Sequence, residues 1–273
     1  MIYNVLTIAG SDPSGGAGIQ ADLKVFSAMK VYGMAVITAL TAQNTTGVSK
    51  VKALDGDFVA EQIRMVFTDV DVHAVKIGMI ANANIASSIA DTLLAVCNVP
   101  VILDPVMIAK GGSHLLDPDA VQTLRGKLVP IAEIITPNLP EAAALLDCDE
   151  ATTINEMMDQ ATMLLALGPK TVYLKGGHLR GSDSPDILMT TDHVETLRGI
   201  RIDTNNTHGT GCSLSAALAA CRGRNFEVIK AAKKSKEFIS QAITFSDLMN
   251  VGQGHGPIHH FHALWSMEDQ TKN

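Results

Sequence analysis

The stretch Leu6-Thr7-Ile8-Ala9-Gly10-Ser11-Asp12-Pro13-Ser14-Gly15-Gly16-Ala17-Gly18 runs from a short apolar segment into a glycine-rich connection. Just beyond it, Ile19, Leu23 and Phe26 recur at helical spacing. A buried strand, a tight turn and an amphipathic helix make half of a βαβ unit, and the alternation continues along the chain. Strand-like runs fall at 3–9, 35–40, 74–77, 99–104, 133–136, 171–175 and 187–190. Most are continuously apolar, as strands covered on both faces of a parallel sheet should be. Between them, 57–67 sets Phe58, Ile63, Val66 and Phe67 along one stripe, 83–94 does the same with Ile85, Ile89, Leu93 and Leu94, and 156–167 continues the pattern. From about Asn206 to Leu248 the chain turns helical. This predicts an α/β fold, a three-layer αβα sandwich on a mostly parallel central sheet. One domain is expected over 1–265, followed by a short tail at 266–273.

Composition agrees with a large core. Of 273 residues, 47% are hydrophobic and 18% charged, and the mean hydropathy is +0.19, too apolar for a disordered chain. The net charge of −7 and pI of 5.7 offer no basic field to a nucleic acid or an anionic membrane. Any phosphate bound here must be held by local backbone dipoles and a metal. No apolar stretch approaches the ~20 residues needed to cross a bilayer. The first apolar run lacks a basic stretch before it and reads as a strand, not an export signal. Cys97, Cys148, Cys212 and Cys221 are scattered without C-x-x-C pairing, as expected for reduced thiols of a cytoplasmic protein.

Four clusters could carry chemistry. The first, Gly10 to Gly18, has four glycines in nine residues, which suits close approach to a ligand at a helix start. It matches neither G-x-G-x-x-G nor G-x-x-x-x-G-K-[ST], so it supports no dinucleotide fold or P-loop, and a capped tight turn is the plainer reading. The second, Asn206-Thr207-His208-Gly209-Thr210-Gly211-Cys212, precedes an alanine-rich helix former. Its glycines leave amides open at the positive end of a helix dipole, a cradle for an anion, with a thiol inside it. The third set lies at strand ends: Asp104-Pro105-Val106-Met107, Thr136-Pro137-Asn138-Leu139-Pro140-Glu141 and Lys175-Gly176-Gly177-His178. Two carboxylates, Asp104 and Glu141, and the amine of Lys175 suit a metal–nucleotide site, although Asn138 and Glu141 also fit a capping box. In the fourth, His255, His259, His260 and His262 lack helical metal spacing and read as structural or surface histidines. Lys230, Lys233, Lys234 and Lys236 read as a solvated helix face, and Met79, Met107 and Trp265 as packing residues.

Together these stretches resemble the ribokinase-like superfamily, and within it the hydroxymethylpyrimidine/phosphomethylpyrimidine kinases of bacterial thiamine biosynthesis. The resemblance also takes in Ala39-Leu40-Thr41-Ala42-Gln43-Asn44-Thr45, Lys76-Ile77-Gly78-Met79 and Gly256-Pro257-Ile258-His259-His260-Phe261-His262. Many sugar kinases of the superfamily carry Asp where this chain has Cys212, which points to the pyrimidine and pyridoxal branch. The resemblance implies phosphorylation of 4-amino-5-hydroxymethyl-2-methylpyrimidine and then of its monophosphate, with ATP and Mg²⁺, by a cytoplasmic homodimer. It implies a ring site of Gly10, Asp22, Gln43, Met79 and Val106, with Cys212 near the reacting oxygen. Gly209, Thr210, Gly211 and Cys212 would supply amides to the phosphoryl group. Asn138 and Lys175 would serve the nucleotide, and Glu141 and Asp104 the metal.

Gln43 suits the ring best, because an amide offers a donor and an acceptor together. A thiol at a helix start is expected to titrate low enough for Cys212 to act as a general base near neutral pH. Pyridoxal kinase, of the same fold and chemistry, is the nearest alternative. A thiol hydrolase, with Cys212 as nucleophile and His208 as base, is the reading from another class. The two glycines between His208 and Cys212 suit a cradle better than a dyad. A pyrimidine-binding regulator without catalysis is a third, and the set Asn138, Glu141 and Lys175 speaks against it.

Overall fold

The computed structural model describes residues 1–107 and 118–265, so the tail at 266–273 lies outside the described residues. Nine strands form one sheet: β1 (Asn4–Ser11), β2 (Tyr32–Asn44), β3 (Gly47–Ala53), β4 (Ala74–Ile77), β5 (Val101–Leu103), β6 (Ile134–Ile135), β7 (Thr171–Leu174), β8 (Asp186–Thr190) and β9 (Val194–Leu197). Their order across the sheet is β3-β2-β1-β4-β5-β6-β7-β8-β9. The strands from β2 through β7 pair in parallel, and β3, β8 and β9 add on antiparallel at the two edges. The expected mostly parallel sheet is therefore present, with longer antiparallel margins.

Helices cover both faces. On one, α1 (Gly18–Ala28), α7 (Thr210–Gly223) and α8 (Val228–Thr244) pack a core that includes Val25, Phe26, Leu214 and Leu218. On the other, α2 (Gly56–Asp69), α3 (Ala83–Val96), α4 (Pro118–Thr123), α5 (Leu139–Leu146) and α6 (Ile154–Leu165) bury Ile63, Ile85, Ile89, Leu145 and Leu164. Neighbouring side chains of a strand point to opposite faces, and β1 shows it: Leu6 and Ile8 join one core, Val5 the other. The small residues of α7 let it lie close over the sheet; a Cβ on Gly223 would sit 2.8 Å from Val5 Cγ2.

Two local expectations are corrected, and the structural-or-surface reading of the histidines resolves to structural for two of them. Phe58 and Leu94 are exposed, because α2 and α3 turn Val59, Ala60, Ile85 and Leu93 inward instead. His259 and His260 are buried, with His260 Nε2 3.0 Å from Ser213 Oγ. Lys236 leaves the solvated face of α8 and donates to Asp186 Oδ2 at 2.6 Å and to the Ser184 carbonyl at 2.8 Å. Among the described residues, no helix is long and apolar enough to cross a membrane.

Candidate active site

Ligands of open α/β sheets bind beyond the carboxyl ends of the strands. A cleft of about 1060 Å³ opens there, lined by residues following β1, β4, β5, β6 and β7 together with the start of α7. That volume is ample for two ligands of moderate size.

The glycine-rich turn forms its floor. Asp12 Oδ1 accepts from Ser14 N at 2.9 Å and Ser14 Oγ at 2.7 Å, while Oδ2 accepts from Ala17 N at 2.9 Å. His208 Nε2 reaches the same Oδ2 at 2.9 Å. Burial opposes the charge on Asp12, but hydrogen bonds from His208 and Ser14 hold its carboxyl below the usual range. The cradle is seated directly on this turn. Gly209 has φ +78°, and a Cβ on it would lie 1.8 Å from Gly16 O. A Cβ on Gly16 would lie 2.3 Å from the His208 ring. These two glycines are thus required by the contact between segments almost 200 residues apart in the chain.

Helix α7 starts at Gly209 with no side-chain cap, which leaves its first-turn amides to the cleft. An atom one bond out from the Gly211 Cα would lie 3.1 Å from Lys175 Nζ and 3.9 Å from Asp104 Oδ2. The anion cradle and the charged strand ends therefore face each other directly. Lys175 Nζ donates to Asp104 Oδ1 at 2.9 Å and stands 3.7 Å from Glu141 Oε2. Burial works against the Lys175 charge, yet Asp104 and Glu141 outweigh it and keep the ammonium well above its usual range. Burial likewise opposes ionisation of Asp104, but Lys175 and Lys76 pull that carboxyl down. Glu141 goes the other way: burial, aided by Asp104 and only partly offset by Lys175, raises it to about 7.

Asn138 and Glu141 are also a capping box. Asn138 Oδ1 accepts from Glu141 N, and Glu141 Oε2 from Asn138 N, both at 2.8 Å. The two readings of this motif coincide, since the box fixes both side chains at the cleft edge.

On the opposite wall, Gln43 near the end of β2, Met79 after β4 and Val106 after β5 line the cleft with Gly10. Met79 Sδ would be 2.9 Å from a Cβ on Gly10. Asp22 is not among the lining residues: it lies beneath the floor, bound to Lys76 and Thr7. Of the expected ring site, Gly10, Gln43, Met79 and Val106 thus line the cleft and Asp22 stands behind them.

Cys212 overturns the expected low-pKa thiol. Burial pushes it up to about 11; Lys76 pulls it down, while Asp104 and Asp22 raise it further. Two carboxylates and removal from water outweigh the helix start. A Cys–His dyad needs a depressed thiol, and His208 Nε2 is engaged by Asp12, so the hydrolase reading loses both its parts.

Sequence reasoning gave no role to Lys76 and weighed Asp12 only as a cap. It quoted Thr41 and His178 within their stretches without giving either a role and passed over Arg125; all three are on the cleft wall. A lysine inside an otherwise apolar strand was the one available signal for Lys76.

Comparison with known proteins falls on the same residues. The profile of the phosphomethylpyrimidine kinase family matches residues 12–259. A hydroxymethylpyrimidine/phosphomethylpyrimidine kinase of Escherichia coli strain K12 is 53% identical over 262 residues, covering 96% of this chain and 98% of the relative. The crystal structure of phosphomethylpyrimidine kinase from Clostridium difficile 630 is 42% identical, with TM-score 0.79 over 88% of this chain and 99% of that one. An ADP complex of Bacillus subtilis pyridoxal kinase is 38% identical, with TM-score 0.90 over 97% of this chain and 100% of that one.

Proposed function

The chain belongs to the phosphomethylpyrimidine kinase family, and from that premise we propose how its cleft divides the work of the reaction. The protein is a kinase of thiamine biosynthesis acting on hydroxymethylpyrimidine and on its monophosphate, with ATP as phosphoryl donor. Gln43 pairs with the aminopyrimidine edge, and Met79, Val106 and Gly10 pack the ring. Asp22 supports this floor through Lys76. The hydroxymethyl oxygen is thereby delivered to the first turn of α7. Gly209, Thr210, Gly211 and Cys212 line the path of the transferred group, and Lys175 and Asn138 face the nucleotide phosphates.

The observation that carries this division is that Lys175 Nζ lies only 3.1 Å from where a Cβ on Gly211 would sit. Phosphoryl transfer depends on in-line positioning and charge neutralisation more than on covalent help, and here amides and an ammonium converge on one point. Lys175 stands between the Asp104 and Glu141 carboxylates, a pairing that suits a further cation beside them. Among the described residues there is no group of three or more His, Cys, Asp or Glu able to enclose a metal. This fits Mg²⁺, which takes few protein carboxylates and completes its shell with water and phosphate oxygens. Glu141 and Asp104 would hold it, and when bound it neutralises charge on the transferring phosphoryl group.

Cys212 stands as a thiol beside the reacting oxygen at neutral pH, and becomes a base only as the thiolate is formed. The same reading includes a cytoplasmic homodimer, whose assembly sedimentation at micromolar concentration tests. Incubation with ATP, Mg²⁺ and the pyrimidine alcohol should yield monophosphate followed by diphosphate. Turnover of pyridoxal but not of the pyrimidine under the same conditions would reverse the substrate assignment.

A further inference from the structure

The amide of Gln43 lies between two neighbours. Gln43 Oε1 is 3.3 Å from Thr41 Oγ1 and Nε2 is 3.4 Å from His208 Nε2, and a half-turn of the amide exchanges the two ends without moving any other atom. Amide oxygen and nitrogen are told apart by their partners, and here the partners are decided by what stands behind them. His208 Nε2 is 2.9 Å from Asp12 Oδ2, and that carboxyl, already receiving Ser14 and Ala17, is held in its ionised form. An ionised carboxylate only accepts, so His208 Nε2 carries a hydrogen. Toward Gln43 this atom therefore faces an oxygen, never an N–H. Thr41 has one hydroxyl hydrogen, and its shorter bond, at 2.9 Å, gives it to Ser11 O. Toward Gln43 the hydroxyl is left as an acceptor and calls for an N–H.

Both neighbours demand the same turn of the amide. We propose that His208, held by Asp12, and Thr41, held by Ser11, are positioning residues that lock Gln43 with its carbonyl toward His208 and its NH₂ toward Thr41. The lock sets which ring edge the kinase accepts. The inference rests on the reading of Gln43 as the ring contact.

A locked amide presents its acceptor and donor in one order. It fits an exocyclic amine next to an unprotonated ring nitrogen. A ring with an exocyclic oxygen next to a ring N–H reverses the pattern and meets two like groups. The ring cannot turn over to compensate, because its hydroxymethyl arm must reach the cradle at Cys212. An unrestrained glutamine would serve either edge by rotating its amide, so discrimination comes from the two neighbours.

The test is the ratio of kcat/KM for the 4-amino alcohol to that for its 4-oxo analogue, measured on the first phosphorylation. The lock makes this ratio large in the wild type and smaller by roughly tenfold to a hundredfold in Thr41→Val and in His208→Leu. Thr41→Ser, which keeps the hydroxyl, should restore it. Damage to folding or to the cradle lowers both substrates together and leaves the ratio alone. An unchanged ratio in Thr41→Val, the nearly isosteric variant, overturns the lock even where His208→Leu is unstable. Gln43→Leu separates the two layers. Loss of amino-alcohol binding in that variant with intact ratios in the other two refutes the lock alone, whereas no loss refutes the ring contact and the lock with it.

Discussion

Lys76 Nζ donates to both carboxylate oxygens of Asp22, at 2.8 and 3.0 Å, and neither side chain reaches solvent. Thr7 Oγ1 adds a third hydrogen bond to Asp22, at 2.6 Å. Burial raises the Asp22 carboxyl above its usual range in spite of Lys76 and Thr7, while Asp22 holds the Lys76 ammonium above its own against burial, so at neutral pH the two stand as an ion pair. Period-two geometry places it: Val75 and Ile77 of β4 face one core, so Lys76 points into the other, toward α1. The pair lies beneath the cleft, where Lys76 pulls the Cys212 thiol down and Asp22 pushes it up.

Removing one member strands the other. Lys76→Met leaves Asp22 as an uncompensated buried charge and should destabilise the fold by ~3–5 kcal/mol. The double variant Lys76→Met/Asp22→Leu should recover much of that loss, since a buried pair is often replaceable by apolar side chains. Thermal unfolding of the three proteins checks it; a single variant melting with the wild type would show the pair contributes nothing.

Glu141 separates structure from charge. Glu141→Gln keeps an oxygen for the capping bond to Asn138 N, so α5 should form normally. The Mg²⁺ concentration for half-maximal activity should rise, by roughly threefold or more, as one carboxylate charge is lost. In the wild type the same requirement should grow as pH falls below about 7, where the raised Glu141 carboxyl takes up its proton. The glutamine variant should lose that pH dependence. Superimposable Mg²⁺ titrations would leave Glu141 a helix-start residue only.

How far these features could be read in advance follows from what the chain encodes locally. The parallel strands were legible because burial on both faces makes most of them continuously apolar, as in β5. The edge strands β3 and β9 were not: Ser49, Lys50 and Lys52 give β3 an exposed, polar surface, and of the four residues of β9 only Leu197 is buried. Cradle and capping motifs were legible because their chemistry is contiguous. Asp22 carried no local sign of its partner 54 residues on, and Asp12 none of His208, 196 residues away. The Cys212 thiol was misjudged for the same reason: the helix start is local, whereas the opposing carboxylates arrive from β5 and α1.

His260 makes the fold acid-sensitive. Burial, with smaller contributions from neighbouring positive groups, lowers it from 6.5 to about 3. The folded state therefore refuses a proton that the unfolded chain accepts below pH 6.5. Stability contributed by the neutral ring is complete above that value and is lost as pH falls toward about 3, at up to ~1.4 kcal/mol per pH unit. Denaturant unfolding at pH 6.5 and 5.0 should show a loss of about 2 kcal/mol from this group. In His260→Asn the loss should be much smaller, at the expense of a lower starting stability.

Cys212 is tested by its pH profile. The alcohol must shed a proton as it attacks the γ-phosphoryl group, and a thiol pushed up to about 11 is ionised in only about one molecule in ten thousand at pH 7. If the thiolate takes that proton, kcat/KM for the first phosphorylation should climb by about tenfold per unit between pH 7 and 9. Lys175, held well above its usual range, stays charged throughout, so the rise cannot come from losing the ammonium. Cys212→Ala should flatten the profile and lower the rate by roughly a hundredfold, the low end for general-base help, because a dissociative transition state puts little charge on the nucleophile. The second phosphorylation begins from a monoester with a second pKa near ~6, already ionised at pH 7, and needs no base. That step should be nearly independent of pH and should lose much less in Cys212→Ala. A flat wild-type profile, with equal losses in both steps for the variant, would instead make Cys212 a residue that shapes the cradle without moving a proton.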